Sequence, residues 1–138
     1  MWSTEHTATT DLTPTQVWAA LRALHEGRLS YPGADRFELH GPFQAGTTLS
    51  VTPAGQDTFT STIVDLDEPR TYADETVFGD VTLLFRYTLA PLPDGGTRVV
   101  HRLDITGPAA DQVGPELGPQ IAGDFPESMA ALLDAARG

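Results

Sequence analysis

Cysteine is absent from this chain. That excludes disulfides, thiolate nucleophiles and zinc sites built on thiolates, and it leaves the redox compartment open while being compatible with the cytoplasm. Positive charge is scarce as well: Lys and Arg together number 8 against 19 Asp and Glu, a formal net charge of −11 over 138 residues. With no basic stripe to neutralise a phosphate backbone, nucleic acid and anionic membrane surfaces are poor partners. No apolar run reaches the roughly 18 residues that a membrane-spanning helix needs. The opening segment MWSTEHTATTDLT has no charged stretch followed by an apolar one, so the chain is expected to be soluble, unprocessed and cytoplasmic.

Catalytic signatures are missing too. No Ser-His-Asp order, GxSxG elbow, phosphate loop or dinucleotide fingerprint is present, and GPQIAG and PDGG lack the strand-loop-helix setting that such motifs require. Hydrolase, kinase and dehydrogenase readings are therefore unattractive. The histidines, His6, His25, His40 and His101, do not fall at metal-ligand spacing, and neither a metal nor a cofactor is expected.

The length and the 40% hydrophobic content suffice for one core and predict a single domain over residues 1–138. WSTEHTATTDL alternates loosely and is rich in Thr, as a half-buried strand is. In TPTQVWAALRAL, Thr13 stands as N-cap, Pro14 at the first helical position and Gln16 where it closes a capping box. Val17, Trp18, Leu21 and Leu24 form its apolar stripe. HEGRLSYPGADR, punctuated by Gly27 and Pro32-Gly33, reads as a loop, with Tyr31 either at a cavity entrance or in a solvent-lapped turn.

From about Phe37 to Gly107 short strands alternate with turn residues: FELHGPF, TTLSVTP, TFTSTIVDLD, RTYADETVF, VTLLFRYTLAPL and TRVVHRLDITG. Their connections are short enough to make consecutive strands antiparallel neighbours. After Gly107 a helical period returns through Val113, Leu117, Ile121, Phe125, Met129, Leu132 and Leu133. Pro115, Pro119 and Pro126 predict irregular opening turns and a bend near Ala122. The order is β, short α, six β, long α. The predicted class is α+β, a seven-stranded curved antiparallel sheet wrapped around a long C-terminal helix. Because such a sheet curls under its own twist, a gap can remain beneath the helix. Gly114, Gly118 and Gly123 either widen that gap or ease the irregular helix start.

TPTQVWAAL after the first strand, the DETVFGDVTLLFRYTL hairpin and DGGTRVVHRLDITGP leading into the last helix, together with the order of elements, resemble the START-like or SRPBCC superfamily. Within it they look like the set known as polyketide cyclase/dehydrase. The resemblance covers essentially the whole chain and implies a helix-grip fold. It leaves three activities open: binding of a small hydrophobic, lipid- or polyketide-like molecule; aromatase/cyclase or dehydratase action on a polyketide-like substrate; or a ligand-free, co-chaperone-like interaction module. No catalytic signature runs through the superfamily, and fold alone assigns none of the three.

Turn lengths set the strand registers. A two-residue loop at Gly79-Asp80 pairs Phe78 with Val81, Thr76 with Leu83, Asp74 with Phe85 and Tyr72 with Tyr87. A three-residue loop from Asp94 to Gly96 pairs Leu89 with His101, Tyr87 with Leu103 and Phe85 with Ile105. His101 then points inward. Asp74, the nearest inward acid, lies two strands and four residues away, more than about 10 Å, which is no hydrogen-bonded dyad. His101 is left with three roles: a hydrogen bond to a backbone carbonyl or to Asp124, contact with a ligand, or acid–base catalysis. The opposite face, with Arg86 and Glu75 as exposed ion-pair partners, suits solvent.

The candidate ligand-binding residues are Tyr72, Asp74, Thr76, Phe85, Tyr87, His101 and Leu103 from the sheet, with Ile121, Phe125 and Met129 from the helix. If the chain is an enzyme, His101 and Tyr87 are its candidate proton donors. The expected partner is a small hydrophobic molecule, and a homodimer is neither implied nor excluded.

Overall fold

The computed structural model describes residues 1–138. The chain runs through β1 (Trp2–Thr10), α1 (Pro14–His25), β2 (Arg36–Leu39), β3 (Thr48–Thr52), β4 (Phe59–Asp67), β5 (Thr71–Phe78), β6 (Val81–Pro91) and β7 (Thr97–Thr106). It ends in α2 (Ala110–Ala122) and α3 (Phe125–Ala136). The helix-start chemistry read at Thr13 is present: its Oγ1 accepts the Gln16 amide at 3.2 Å, and Gln16 Oε1 accepts the Thr13 amide at 2.9 Å. The strands form one seven-stranded antiparallel sheet in the order β1-β7-β6-β5-β4-β3-β2. β1 and β2, neighbours in sequence, therefore lie on opposite edges, joined by α1 and its loop. This is the helix-grip arrangement. No helix is long and apolar enough to cross a membrane.

The β5–β6 register is the expected one, but β6–β7 is shifted by two residues: Tyr87 opposes His101, Phe85 opposes Leu103 and Leu89 opposes Val99. The turn lies one residue earlier than predicted. Gly95 donates its amide to the Leu92 carbonyl at 3.0 Å, Leu92 donates to the Gly96 carbonyl at 2.9 Å, and Gly95 takes φ 91°. Pro93 has no N–H for a closing pair, while its fixed φ suits the second position of the turn. Sliding a hairpin turn by one residue slides the pairing by two, so each residue keeps its face and changes its neighbour. A bulge in β4 between Ile63 and Asp65 corrects a second expectation. It sets Asp65, not Glu75, beside Arg86 at 2.8 Å on the outer face.

The C-terminal helix is divided at Gly123-Asp124, close to the predicted bend. Its opening turns are regular, contrary to expectation. Pro115 and Pro119 sit inside α2 on its exposed side, where water can satisfy the carbonyls they orphan. Gly114 and Gly118 have neither of the roles read for them. They are buried, and a Cβ at either would overlap the Trp2 side chain, so their i, i+4 spacing forms a notch on α2 that receives the indole.

Two apolar clusters form between helices and sheet. One joins Val17, Trp18, Leu21 and Leu24 of α1 to Leu49, Ile63, Leu89 and Val99, and to Met129 and Leu132 of α3. The other joins Val81, Leu83, Leu103 and Ile105 to Ala110 and Phe125. The outer face is polar, with Arg102 bound to Glu5 at 2.9 Å and to Asp104 at 3.0 Å. Gly118→Ala is expected to destabilise the fold by about 1–3 kcal/mol by overpacking. In a double-mutant cycle with Trp2→Ala, urea unfolding should show most of that loss disappearing when the indole is absent.

Candidate functional site

The two clusters do not meet. Between them lies a cavity of about 600 Å³ under the junction of α2 and α3. From the sheet it is lined by Phe59 and Ser61 of β4, by Tyr72, Asp74, Thr76 and Phe78 of β5, by Leu83, Phe85 and Tyr87 of β6, and by His101 of β7. Leu24 and His25 close it from α1, and Leu117, Ile121, Asp124, Phe125 and Ser128 from the C-terminal helices. Two of the residues read as lining are not part of the wall. Leu103, fully buried opposite Phe85, is covered within the second cluster. Met129 turns toward α1 and packs in the first.

The β4–β5 wall is polar. Tyr72 donates its hydroxyl to Asp74 Oδ2 at 2.7 Å, and Ser61 donates to Asp74 Oδ1 at 3.3 Å. Ser61 has one proton, so the 2.6 Å contact between its oxygen and Thr76 Oγ1 has Thr76 as donor. Ser61 and Thr76 sit on adjacent strands next to the Ile63–Asp74 pair, which is why β4 and β5 can build this chain of hydroxyls around one carboxylate. Burial pushes Asp74 up to about 6, with the Tyr72 and Ser61 hydrogen bonds opposing the rise. Near neutrality it can hold or release a proton.

The opposite wall is aromatic. His101 is 7% exposed and sandwiched, with ring centroids 3.9 Å from Tyr87 and 3.9 Å from Phe125. The expected hydrogen bond to a carbonyl or to Asp124 is not formed. Trp18 Nε1 is the one sealed side-chain polar atom without a partner, so the ring nitrogens of His101 stay open to the cavity. With the observed register His101 and Asp74 lie two strands and two residues apart, still about 10 Å or more, and they form no dyad.

His25, which the sequence reading passed over, is the second cavity histidine. Its Nδ1 lies 2.8 Å from the Leu21 carbonyl, which can only accept, so Nδ1 carries the proton and Nε2 is left as an acceptor. Its ring sits 4.1 Å from Tyr72 and 4.5 Å from Phe37. Burial depresses both imidazoles, His25 to about 4 and His101 to about 3, so both are neutral at physiological pH. A signal for His25 existed: it continues the helical spacing of Trp18 and Leu21.

Asp35, Asp57 and Asp124 stand around the cavity with Tyr31. Burial and the neighbouring Asp124 raise the Asp35 carboxyl, and burial raises the Tyr31 hydroxyl. Tyr31 and Asp35 lie in the segment after α1, Asp57 between β3 and β4 and Asp124 at the start of α3, all outside the strands, so strand registers say nothing of them; Tyr31 stands at the cavity, one of the two places expected for it. No group of three or more His, Asp or Glu side chains is placed to hold a metal ion.

Comparison with known proteins bears on this geometry. The family described as polyketide cyclase/dehydrase and lipid transport matches residues 1–137. No curated protein matches the chain. Among solved structures, the Zhui aromatase/cyclase of Streptomyces sp. R1128 superposes with a TM-score of 0.77 at 21% identity, over 98% of this chain and 93% of that one. A point mutant of norcoclaurine synthase from Thalictrum flavum, in complex with a transition-state analogue, superposes at 0.69 and 13% identity, over 99% and 96%. At these identities the likeness is one of fold.

The two histidines and Asp74 give opposite pH dependences. Each histidine has its folded value below the unfolded one, so its stabilisation is complete above about pH 6.5 and is lost as pH falls toward the folded values. Imidazole resonances of His25 and His101 should therefore keep their neutral-form shifts down to about pH 5. Asp74 has its folded value raised, so it favours folding at low pH and loses that contribution between about pH 4 and 6. In urea titrations Asp74→Asn should gain about 2–3 kcal/mol relative to wild type between pH 4 and pH 7.

Proposed function

We propose that this chain, which belongs to the polyketide cyclase/dehydrase and lipid transport family, binds one small, largely apolar molecule between its curved sheet and its C-terminal helices. The observation that carries the reading is the unfilled volume of about 600 Å³ between two well-packed clusters. Protein interiors are close-packed, so a space of that size with aromatic and aliphatic walls and a few polar groups is a binding cavity by default. A module working through its outer surface alone has no use for it. In this reading Tyr72, Phe85, Tyr87, Ile121 and Phe125 hold the body of the ligand. Asp74, Thr76 and His101 offer hydrogen bonds to its polar atoms.

A cyclase or dehydratase acting in the same cavity is the second reading, favoured by Asp74. Its carboxyl, at about 6 and joined to the Tyr72 hydroxyl, is tuned for proton transfer near neutrality. His101 and Tyr87, the donors expected from sequence, suit that role less. Burial leaves no imidazolium on His101 at neutral pH and raises the Tyr87 phenol, so both serve better as hydrogen-bonding partners than as acids.

Equilibrium binding of the neutral fluorophore N-phenyl-naphthylamine tests the binding reading. One molecule per chain should bind with enhanced emission, and Ile121→Trp, which fills the cavity from α2, should weaken it at least about tenfold without lowering the melting temperature. Absence of binding, or binding indifferent to Ile121→Trp, would overturn the proposal.

A further inference from the structure

The charge around the cavity is one-sided. Asp35, Asp57, Asp74 and Asp124 line it, and neither Arg nor Lys does. The chain has no lysine at all. Five of its eight arginines are engaged elsewhere: Arg22 and Arg28 with Glu26, Arg86 with Asp65, Arg102 with Glu5 and Asp104, and Arg137 with Asp11. Asp124 is the residue before α3, where an Asp ordinarily spends its carboxylate on the first helical amides, yet its side chain makes no cap hydrogen bond. Asp35 and Asp124 are close enough to raise the Asp35 carboxyl, and both bear on the hydroxyls of Tyr31 and Tyr87. These carboxylates face one shared volume and have no countercharge within it.

A second observation, independent of the acids, also calls for a ligand. His101 is 7% exposed and His25 is 3% exposed, and His101 has no hydrogen-bond partner in the protein while His25 has none for Nε2. A neutral imidazole nitrogen left open to a cavity is an acceptor waiting for a donor, and buried polar groups are rarely left unmet. The histidine acceptors and the carboxylates line one cavity, whose wall also carries the rings of Tyr31, Phe37 and Tyr72.

We infer that the ligand is a monocationic amine on an aromatic-sized apolar body, its ammonium group at Asp35 and Asp124 and its body against Tyr72, Tyr87 and Phe125. The inference rests on the reading that the cavity binds a small apolar molecule, and adds the sign of its charge. An anionic ligand of the same shape meets like charge there and binds more weakly.

Naphthylethylamine, naphthylethanol and naphthylacetate share one body and differ in charge, and their affinities by calorimetry at low and at moderate salt decide the matter. The amine should bind at least about tenfold tighter than the acid, with the alcohol between them. Asp35→Asn and Asp124→Asn should each reduce the ratio of amine to alcohol affinity about threefold or more. Asp67→Asn, exposed at the end of β4 away from the cavity, should leave that ratio as it is, which separates a local effect from the pull of the net charge. If the alcohol or the acid binds as tightly as the amine, or if the preference survives in the Asp35→Asn/Asp124→Asn double variant, the charge assignment is overturned and the apolar-ligand reading stands. If none of the three binds, the apolar-ligand reading fails and the inference falls with it.

Discussion

A neutral imidazole pressed between two aromatic rings sets where the C-terminal helices touch the sheet. His101 rises from β7 to stack on Tyr87 of β6 and carries Phe125, the first residue of α3, on its other face. Offset aromatic stacking of this kind contributes about 0.5–1.5 kcal/mol per pair beyond the area it buries, and it fixes a distance as well as an energy. Two further contacts hold the helices in place. Trp2 fills the notch at Gly114 and Gly118, and Met129 and Leu132 bind α3 to the α1 cluster. All three anchor points lie toward β1 and β7 or toward α1. The inner faces of β4, β5 and β6 are left uncovered beneath the helix junction.

That uncovered region is not simply poor packing. Where Leu or Ile would close the gap, β4 and β5 carry Ser61, Thr76 and Asp74, small or polar residues that satisfy one another. A mutually bonded set of this kind can stay dry or meet a ligand without leaving a buried group unpaired. The aromatic wall opposite offers surface and the polar wall offers direction, a division typical of cavities that hold small molecules. The same burial that keeps His101 and His25 neutral ties the integrity of the cavity to pH, because protonating either would place a charge inside the stack.

Much of this was legible in the sequence, and the reasons are specific. Helix α1 announced itself through Thr13, Pro14 and Gln16, which satisfy orphan amides by local chemistry alone. The β5–β6 register followed from a two-residue turn that admits one pairing, and it placed Tyr72, Asp74 and Thr76 on the inner face correctly. The β6–β7 register did not follow, because Pro93, Gly95 and Gly96 permit two turns one residue apart. Alternation preserved the face of His101 while misplacing its neighbours. The notch for Trp2 was out of reach, since nothing local links a residue of the first strand to glycines more than a hundred positions later. Asp35 and Asp124 enter the site from a loop and from the start of a helix, where periodicity carries no information about what a side chain meets, whereas His25 follows the helical spacing of Trp18 and Leu21.

The cavity itself is the central claim, and intermolecular nuclear Overhauser contacts between bound N-phenyl-naphthylamine and the protein test it most directly. The account predicts contacts from the probe to the methyl groups of Leu83 and Ile121 and to the rings of Tyr72, Phe85 and Phe125, all from one bound population. Contacts confined to the exposed Val77 of β5 and Val64 of β4, 71% and 40% accessible, would place the probe on the surface and contradict it.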